Sequence, residues 1–214
     1  MSKPLADFHD LLLPELPGCT VAMVNFQLRE TAREFCHRTS AWREALTAVD
    51  TVAAQAAYTL TTPADSELVR VTKLTVNDIL LWRLTDRKPA GTDSETEPTY
   101  GIDEPPFTLD ENLTQIVLAT DEIPAAAVTG GMVVEAALKP TAAAATLPDF
   151  LLTQCSEALR YGTLSRLMLM AKKPWTDRPL ATEYGQRWNA ALNFAAFQAQ
   201  VGNTRRPLRT KNWG

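Results

Sequence analysis

The stretch from Pro148 to Asn203 reads PDFLLTQCSEALRYGTLSRLMLMAKKPWTDRPLATEYGQRWNAALNFAAFQAQVGN, and it decides the fold. Small and apolar residues recur in it at steps of three and four, which is the spacing of one face of a helix. The first series is Leu151, Cys155, Ala158, Gly162, Ser165 and Leu169, and the second is Ala181, Tyr184, Trp188, Ala191, Ala195 and Ala199. The stretch therefore predicts two long helices that form the scaffold of the protein.

Local signals predict where these two helices begin and end. Lys172 and Lys173 are expected in the last turn of the first helix, because cations stabilise the negative end of the helix dipole, and Pro174 stops it. Asp177 is predicted to cap the second helix. Gly202-Asn203 is a typical C-terminal stop for a helix.

A third helix is predicted near the N-terminus. Thr20 can cap it, and it runs to about Arg38. Its apolar face has helical spacing and consists of Val21, Val24, Leu28, Ala32 and Phe35. We expect this helix to pack on the long pair, so that residues 1–40 and 148–203 form one helical unit. Residues 1–18 are expected to add a short helical turn and a loop.

Residues 41–147 have a different pattern, which predicts an inserted, mainly antiparallel β unit and hence an α+β fold. The candidate strands are 57–60, 68–74, 79–84, 115–118 and 132–138, with a turn at Asn77-Asp78. Gly130-Gly131 is predicted to form a tight turn before the last strand. A phosphate-binding loop is the alternative reading of that pair, but no Lys-Ser or Lys-Thr follows it.

The segment 85–111 is irregular and strongly acidic. It contains eight carboxylates, Asp86, Asp93, Glu95, Glu97, Asp103, Glu104, Asp110 and Glu111, against the two cations Arg87 and Lys88. Such a run is usually a solvated loop. Alternatively, it faces a neighbouring subunit or a channel.

The sequence offers no recognisable catalytic or cofactor-binding set, so no enzyme, cofactor or metal site is predicted. The metal-ligand spacings of zinc sites, the nucleophile elbow and the Walker loop are all missing. Cys36 and His37 are adjacent in the sequence. Adjacent helical residues point in different directions, so these two side chains are not expected to bind one metal ion together. Cys19, Cys36 and Cys155 are too few and too widely spaced for a disulfide framework. The net charge of −4 argues against bulk nucleic-acid binding. No signal peptide or membrane span is expected.

The last segment, 204–214, is basic and extended in character. It carries four cations and no anion, and Pro207 opposes a helix. A terminal aromatic residue among arginines is typical of an anchor for a groove on another protein. The predicted partner-binding residues are Arg205, Arg206, Pro207, Leu208, Arg209, Lys211 and Trp213. A disordered tail that only aids solubility is the alternative.

The order of these features resembles the head-to-tail adaptor (connector) proteins of short-tailed phages, of the tail-tubular-protein-A type. The resemblance covers nearly the whole chain and lies in helix corners. Its motifs are 16–19 (LPGC), 34–44 (EFCHRTSAWRE), 57–63 (AYTLTTP), 159–168 (LRYGTLSRLM) and 173–175 (KPW). The family implies a virion protein, made in the bacterial cytoplasm, that forms a twelve-membered ring below the portal. Its C-terminal tails reach the portal, its lower face takes the nozzle or fibres, and DNA passes through without specific binding.

Three other functions remain open at this level. A tail-tube or nozzle component belongs to the same class of structural protein. An enzyme could assemble a carboxylate site in space that the sequence does not mark. A nucleic-acid-binding module could use the basic tail, although aromatic residues do not alternate with basic ones along the chain.

Overall fold

A computed structural model of the protein describes residues 2–81 and 106–201, and it is a mixed α/β fold with antiparallel sheets. Its contacts divide the chain into two compact units, 1–41 with 148–214, and 42–147. The described helices are α1 His9–Leu12, α2 Val21–Thr39, α3 Asp149–Thr153, α4 Ser156–Met168 and α5 Arg178–Val201. The described strands are β1 Ser2–Pro4, β2 Arg43–Ala45, β3 Val49–Thr51, β4 Ala57–Thr59, β5 Ser66–Val76, β6 Ile79–Leu81, β7 Phe107–Leu109, β8 Gln115–Leu118, β9 Val128–Pro140 and β10 Thr146–Pro148.

The helical unit is built on α2, α4 and α5, which all contact one another. The α2 helix confirms the predicted amphipathic helix, because Val24, Leu28, Ala32 and Phe35 are fully buried along one face. Val21 is the exception, since it lies 47% exposed at the first turn. The Phe35 and Trp188 rings lie 5.8 Å apart and join α2 to α5.

Gly162 sets how closely the three helices approach. A Cβ atom added there would lie 2.6 Å from Thr31 Cγ2 of α2 and 2.8 Å from Trp188 Cε3 of α5. These distances are far inside the roughly 3.5–4.0 Å at which carbon atoms pack. Only glycine at this position of α4 therefore allows the observed packing.

The predicted first long helix is wrong in two respects. It is split into α3 and α4, because Cys155 leaves the helical conformation, with φ −121° and ψ 14°. The backbone amide of Leu159 donates to the carbonyl oxygen of Cys155 at the start of α4. It also ends at Met168, so Lys172 lies outside it with a positive φ of 60°. The small-residue spacing continued across both breaks, which is why periodicity alone did not reveal them.

The second long helix begins as predicted. Asp177 Oδ1 accepts the backbone amide of Leu180 at 3.0 Å, which confirms the cap. The predicted stop at Gly202-Asn203 lies outside the described residues. Thr20 occupies the cap position of α2 but makes no side-chain hydrogen bond there.

Residues Leu5–Phe8, His9–Leu12 and Leu13–Glu15 form successive helical turns rather than the single turn predicted. The buried side chains of this segment and of the residue after it are Leu5, Phe8, Leu12 and Leu16. Burial of this apolar series fixes the position of Glu15 within the helical unit. Gly18 then has a positive φ of 79° before α2 begins.

The described residues of the β unit form a five-stranded and a three-stranded antiparallel sheet. The first has the order β2-β9-β5-β6, with β3 also paired to β9, and the second has the order β4-β8-β7. Both sheets contribute to one core, whose largest fully buried members are Leu74, Leu81, Ile116, Met132 and Leu138. The long central strands β5 and β9 contain the predicted segments 68–74 and 132–138.

Strand β5 departs from simple alternation. Its register against β9 shifts between Leu68 and Arg70 and again between Val71 and Lys73. Each shift adds one residue to β5, so Leu68, Val71 and Leu74 face the core at steps of three. Strict alternation along the strand would place every second residue at a buried position. The two bulges shift this pattern and therefore keep Arg70 and Lys73 out of the buried positions.

Candidate functional site

The predicted partner-binding residues are Arg205, Arg206, Pro207, Leu208, Arg209, Lys211 and Trp213, and all of them lie outside the described residues. Most of the acidic segment 85–111 also lies outside them. Within its described part, Asp110 Oδ1 accepts the backbone amides of Thr114 at 2.6 Å and Gln115 at 2.7 Å. These bonds lower the pKa of the Asp110 carboxyl and make it a turn-stabilising residue.

A polar cluster in the helical unit centres on the Glu15 carboxylate. The Arg160 side chain donates to its Oε1 from Nε at 3.0 Å and from a second guanidinium nitrogen. The Tyr184 hydroxyl donates to its Oε2 at 2.6 Å. This bond raises the pKa of the Tyr184 phenol, and the pairing with Glu15 raises the pKa of Arg160. Glu15 therefore joins the N-terminal turns to α4 and α5.

Aromatic and cationic side chains extend this cluster. The Tyr161 and Tyr184 rings lie 5.6 Å apart. The Arg160 and Arg187 guanidinium carbons lie 5.9 Å and 5.5 Å from the centroid of the Tyr161 ring. Cations at these distances are attracted by the face of the ring. The cluster consists of paired groups, and this arrangement stabilises the packing of helices.

A surface cleft of about 360 Å³ lies beside this cluster. Its lining residues are Glu15, Pro17, Met168, Pro174, Trp175, Thr176, Asp177 and Leu180. Glu15 is bonded to Arg160 and Tyr184, and Asp177 caps α5, so both carboxylates serve the fold. The Trp175 indole is buried and its N–H has no hydrogen-bond partner, while the Lys173 ammonium lies 5.9 Å from its ring centroid. The cleft thus has an aromatic wall and no activated nucleophile among its lining residues.

The cysteines carry thiols that resist ionisation. Cys36 is fully buried, and burial raises its pKa far above the ordinary value. Burial also raises the pKa of Cys155 to about 11. Because the thiolate is the reactive and metal-binding form, these residues are packing groups at neutral pH. Across residues 2–81 and 106–201, no three His, Cys, Asp or Glu side chains lie where they could hold one metal ion.

The prediction of a tight turn at Gly130-Gly131 is wrong, because both glycines lie inside β9. Gly130 has a positive φ of 64°, near the point where the pairing of β3 with β9 shifts register. A Cβ at Gly131 would clash with Asn77 Oδ1 and with Thr51 Oγ1. The pair therefore allows close strand packing, and its surroundings in the sheet do not form a phosphate-binding loop.

The C-terminal half of α5 presents an exposed apolar surface. Phe194 and Phe197 are 62% and 58% exposed, whereas the buried face of the helix is formed by Ala181, Tyr184, Trp188 and Leu192. No charged residue follows Arg187 within the helix. Charge depletion around exposed aromatic rings is typical of the core of a binding surface. We call the exposed pair Phe194 and Phe197 the phenylalanine face.

Sequence reasoning missed both the Glu15 cluster and the phenylalanine face. Glu15 lies far from Arg160 and Tyr184 in the chain, so no local pattern links them. The phenylalanine face did leave a signal, because residues 188–203 contain no Asp, Glu, Lys or Arg. The predicted apolar stripe in this part of the helix, Ala191, Ala195 and Ala199, includes neither phenylalanine.

No protein-family model and no curated protein matches this chain. No helix in the described parts of the chain is long and apolar enough to cross a membrane.

Proposed function

We propose that the protein is a structural virion protein, a head-to-tail adaptor that joins the portal of a short-tailed phage to its tail. Copies of the chain form a ring around the DNA channel, with twelve copies expected from the resemblance. In this proposal the helical unit is the scaffold of each subunit, and the β unit is inserted between its two chain segments. The adaptor has no catalytic mechanism and needs no cofactor.

The observation that carries the proposal is the position of the resemblance motifs in the fold. Arg160, Tyr161 and Gly162 belong to one motif, and they form the polar cluster and the close helix contact. Trp175 of another motif is buried at the corner that precedes α5. In this structure these residues of the resemblance motifs hold helices together, and this supports the proposal that the helical unit is a scaffold.

The basic segment 204–214 serves as the portal-binding handle in this proposal. It follows α5 in the sequence after Gly202 and Asn203, and α5 is 24 residues or about 36 Å long. Arg205, Arg206 and Arg209 can each form two parallel hydrogen bonds to a carboxylate on the portal. Trp213 supplies an aromatic anchor at the far end.

The acidic segment 85–111 is proposed to face the channel or a neighbouring subunit. Its excess of carboxylates repels the phosphates of DNA, so DNA passes the ring without specific binding. The nozzle or the tail fibres are the partners expected on the opposite side of the ring.

The experiment that tests the proposal is deletion of residues 203–214. The truncated subunit should keep the circular dichroism spectrum of the folded protein but should no longer bind the portal in a pull-down assay. The matched control keeps the segment and changes only the uncharged residue Thr210→Ser, which should leave binding unchanged. Particles that still assemble and retain DNA with the truncated subunit would show that the handle is not needed.

A further inference from the structure

We propose that the phenylalanine face binds a second copy of this chain, on a surface formed by Val21 and Phe26 of α2. We call these two residues the amino-end surface, and their side chains are exposed, Val21 by 47% and Phe26 by 56%. The contact is head to tail, because each copy uses one surface to bind one neighbour and the other surface to bind the next. It deepens the proposed function, on which it rests for its setting, by naming the contact between neighbouring subunits of the ring.

Both surfaces lie on parts of helices without charged side chains. In α2, residues 21–28 contain no Asp, Glu, Lys or Arg, whereas residues 29–38 contain five. In α5, residues 188–201 contain none, whereas residues 178–187 contain three. Another protein can therefore cover the two surfaces without removing a charge from water, which would be costly. Depletion of charge around exposed aromatic rings is typical of the core of an interface.

The two surfaces lie at opposite ends of the helical unit. Pro17, just before α2, lines the same cleft as Leu180 at the start of α5. Further along, the Phe35 ring of α2 packs on the Trp188 ring of α5, so the two helices run in the same direction. Measured from this aromatic pair at about 1.5 Å per residue, Phe26 lies about 14 Å toward the helix starts and the phenylalanine face about 9–14 Å toward the helix ends. One copy cannot bring these surfaces together, so a contact between them joins two copies.

The helix ends beside the two surfaces are electrostatically complementary. The carboxyl end of a helix carries partial negative charge and the amino end partial positive charge. The last turn of α5 contains no basic residue, and the first turn of α2 contains no acidic residue. Head-to-tail contact brings the end of α5 in one copy near the start of α2 in the next, where the opposite partial charges attract. Contact between two phenylalanine faces would instead bring two negative helix ends together.

The size of the surfaces indicates a contact that is weak between two free copies. Each exposed phenylalanine presents roughly 100 Å², given that an aromatic side chain has about 150–250 Å² in total. The contact area therefore lies below the roughly 1,200 Å² under which interfaces are weak and transient. The contact persists where several copies are held side by side, because the effective concentration there reaches about the millimolar range.

Sedimentation velocity of the full-length protein, at concentrations from about 1 µM to about 1 mM, tests this inference. The weight-average mass of the wild type should rise at least about twofold across this range, because a weak interface is populated only at high concentration. The variants Phe194→Ser/Phe197→Ser and Val21→Ser/Phe26→Ser should each stay monomeric, since each lacks one of the two surfaces. Serine has a helix propensity similar to those of phenylalanine and valine, so both variants should keep the circular dichroism spectrum of the wild type.

An equal mixture of the two double variants is the decisive sample. Each variant supplies the surface that the other lacks, so the mass should rise to that of a pair and no further. The matched control is Val52→Ser, which removes a 48% exposed apolar side chain from the other compact unit. This control should associate as the wild type does.

A wild type that stays monomeric throughout, or a mixture that stays monomeric, would overturn the inference. Association of Val21→Ser/Phe26→Ser alone would also overturn it, because two phenylalanine faces would then bind each other. Loss of association in Val52→Ser would have the same force, since it would show that the contact is not specific to the two surfaces. Failure of this contact leaves the proposed adaptor role open, and failure of the wild type to bind the portal leaves this contact standing.

Discussion

Replacing Gly162 by alanine should destabilise the helical unit, although alanine is the better helix former. The added Cβ would lie 2.6 Å from Thr31 Cγ2 and 2.9 Å from Trp188 Cδ2. Thr31 is fully buried and Trp188 packs on Phe35, so neither side chain can easily move away. Overpacking of this kind costs about 1–3 kcal/mol. Replacing a glycine in a helix interior by alanine stabilises the helix by about 0.5–1 kcal/mol. We therefore expect the free energy of unfolding to fall by a net amount of about 1–2 kcal/mol.

The matched control for this substitution is Gly185→Ala in α5. An added Cβ at Gly185 would meet no atom within 4 Å, so only the gain in helix propensity remains. This variant should be about 0.5–1 kcal/mol more stable than the wild type. Urea unfolding followed by circular dichroism at 222 nm measures both free energies. A Gly162→Ala protein as stable as Gly185→Ala would refute the close contact between the three helices.

Two further predictions concern named side chains. Glu15→Gln should cost about 1–2 kcal/mol of unfolding free energy, because it weakens hydrogen bonds to a charged group that is partly exposed. The fold raises the pKa of Tyr184, so the stability that this phenol contributes is present below about pH 10, the ordinary pKa of tyrosine, and is lost as pH rises through the raised value. Urea unfolding at several alkaline pH values should therefore show that the free energy of unfolding falls less with rising pH in Glu15→Gln than in the wild type. An equal fall in both proteins would contradict the role of Glu15. Cys36 should react with DTNB at pH 8 only after unfolding, whereas the partly exposed Cys19 should react first. Labelling of Cys36 as fast as that of Cys19 would show that Cys36 is not buried.

Local patterns predicted the elements whose signal lies within the element itself or beside it. The face of α2 from Val24 to Phe35 and the Asp177 cap follow from spacing and from one side chain near a helix start. The strands at 115–118 and within β5 and β9 follow from their β-branched residues. In each case the signal and the structure lie within a few residues of each other.

Features that depend on distant contacts could not be predicted in the same way. The bulges in β5 arise from its pairing with β9, so the sequence of β5 alone does not reveal them. The break at Cys155 interrupts a spacing that continues across it. The Glu15 cluster requires three segments that only the folded unit brings together. The predicted portal-binding segment 204–214 lies outside the described residues and stays a prediction.

Electron microscopy of the purified protein mixed with its proposed partner, the portal protein, tests the proposed adaptor role most directly. If the proposal is right, the images show a closed ring on the tail side of the portal, with a central opening continuous with the DNA channel and density from each subunit reaching into the portal. A protein that remains separate from the portal, or that binds it without forming a ring, would contradict the proposed adaptor role.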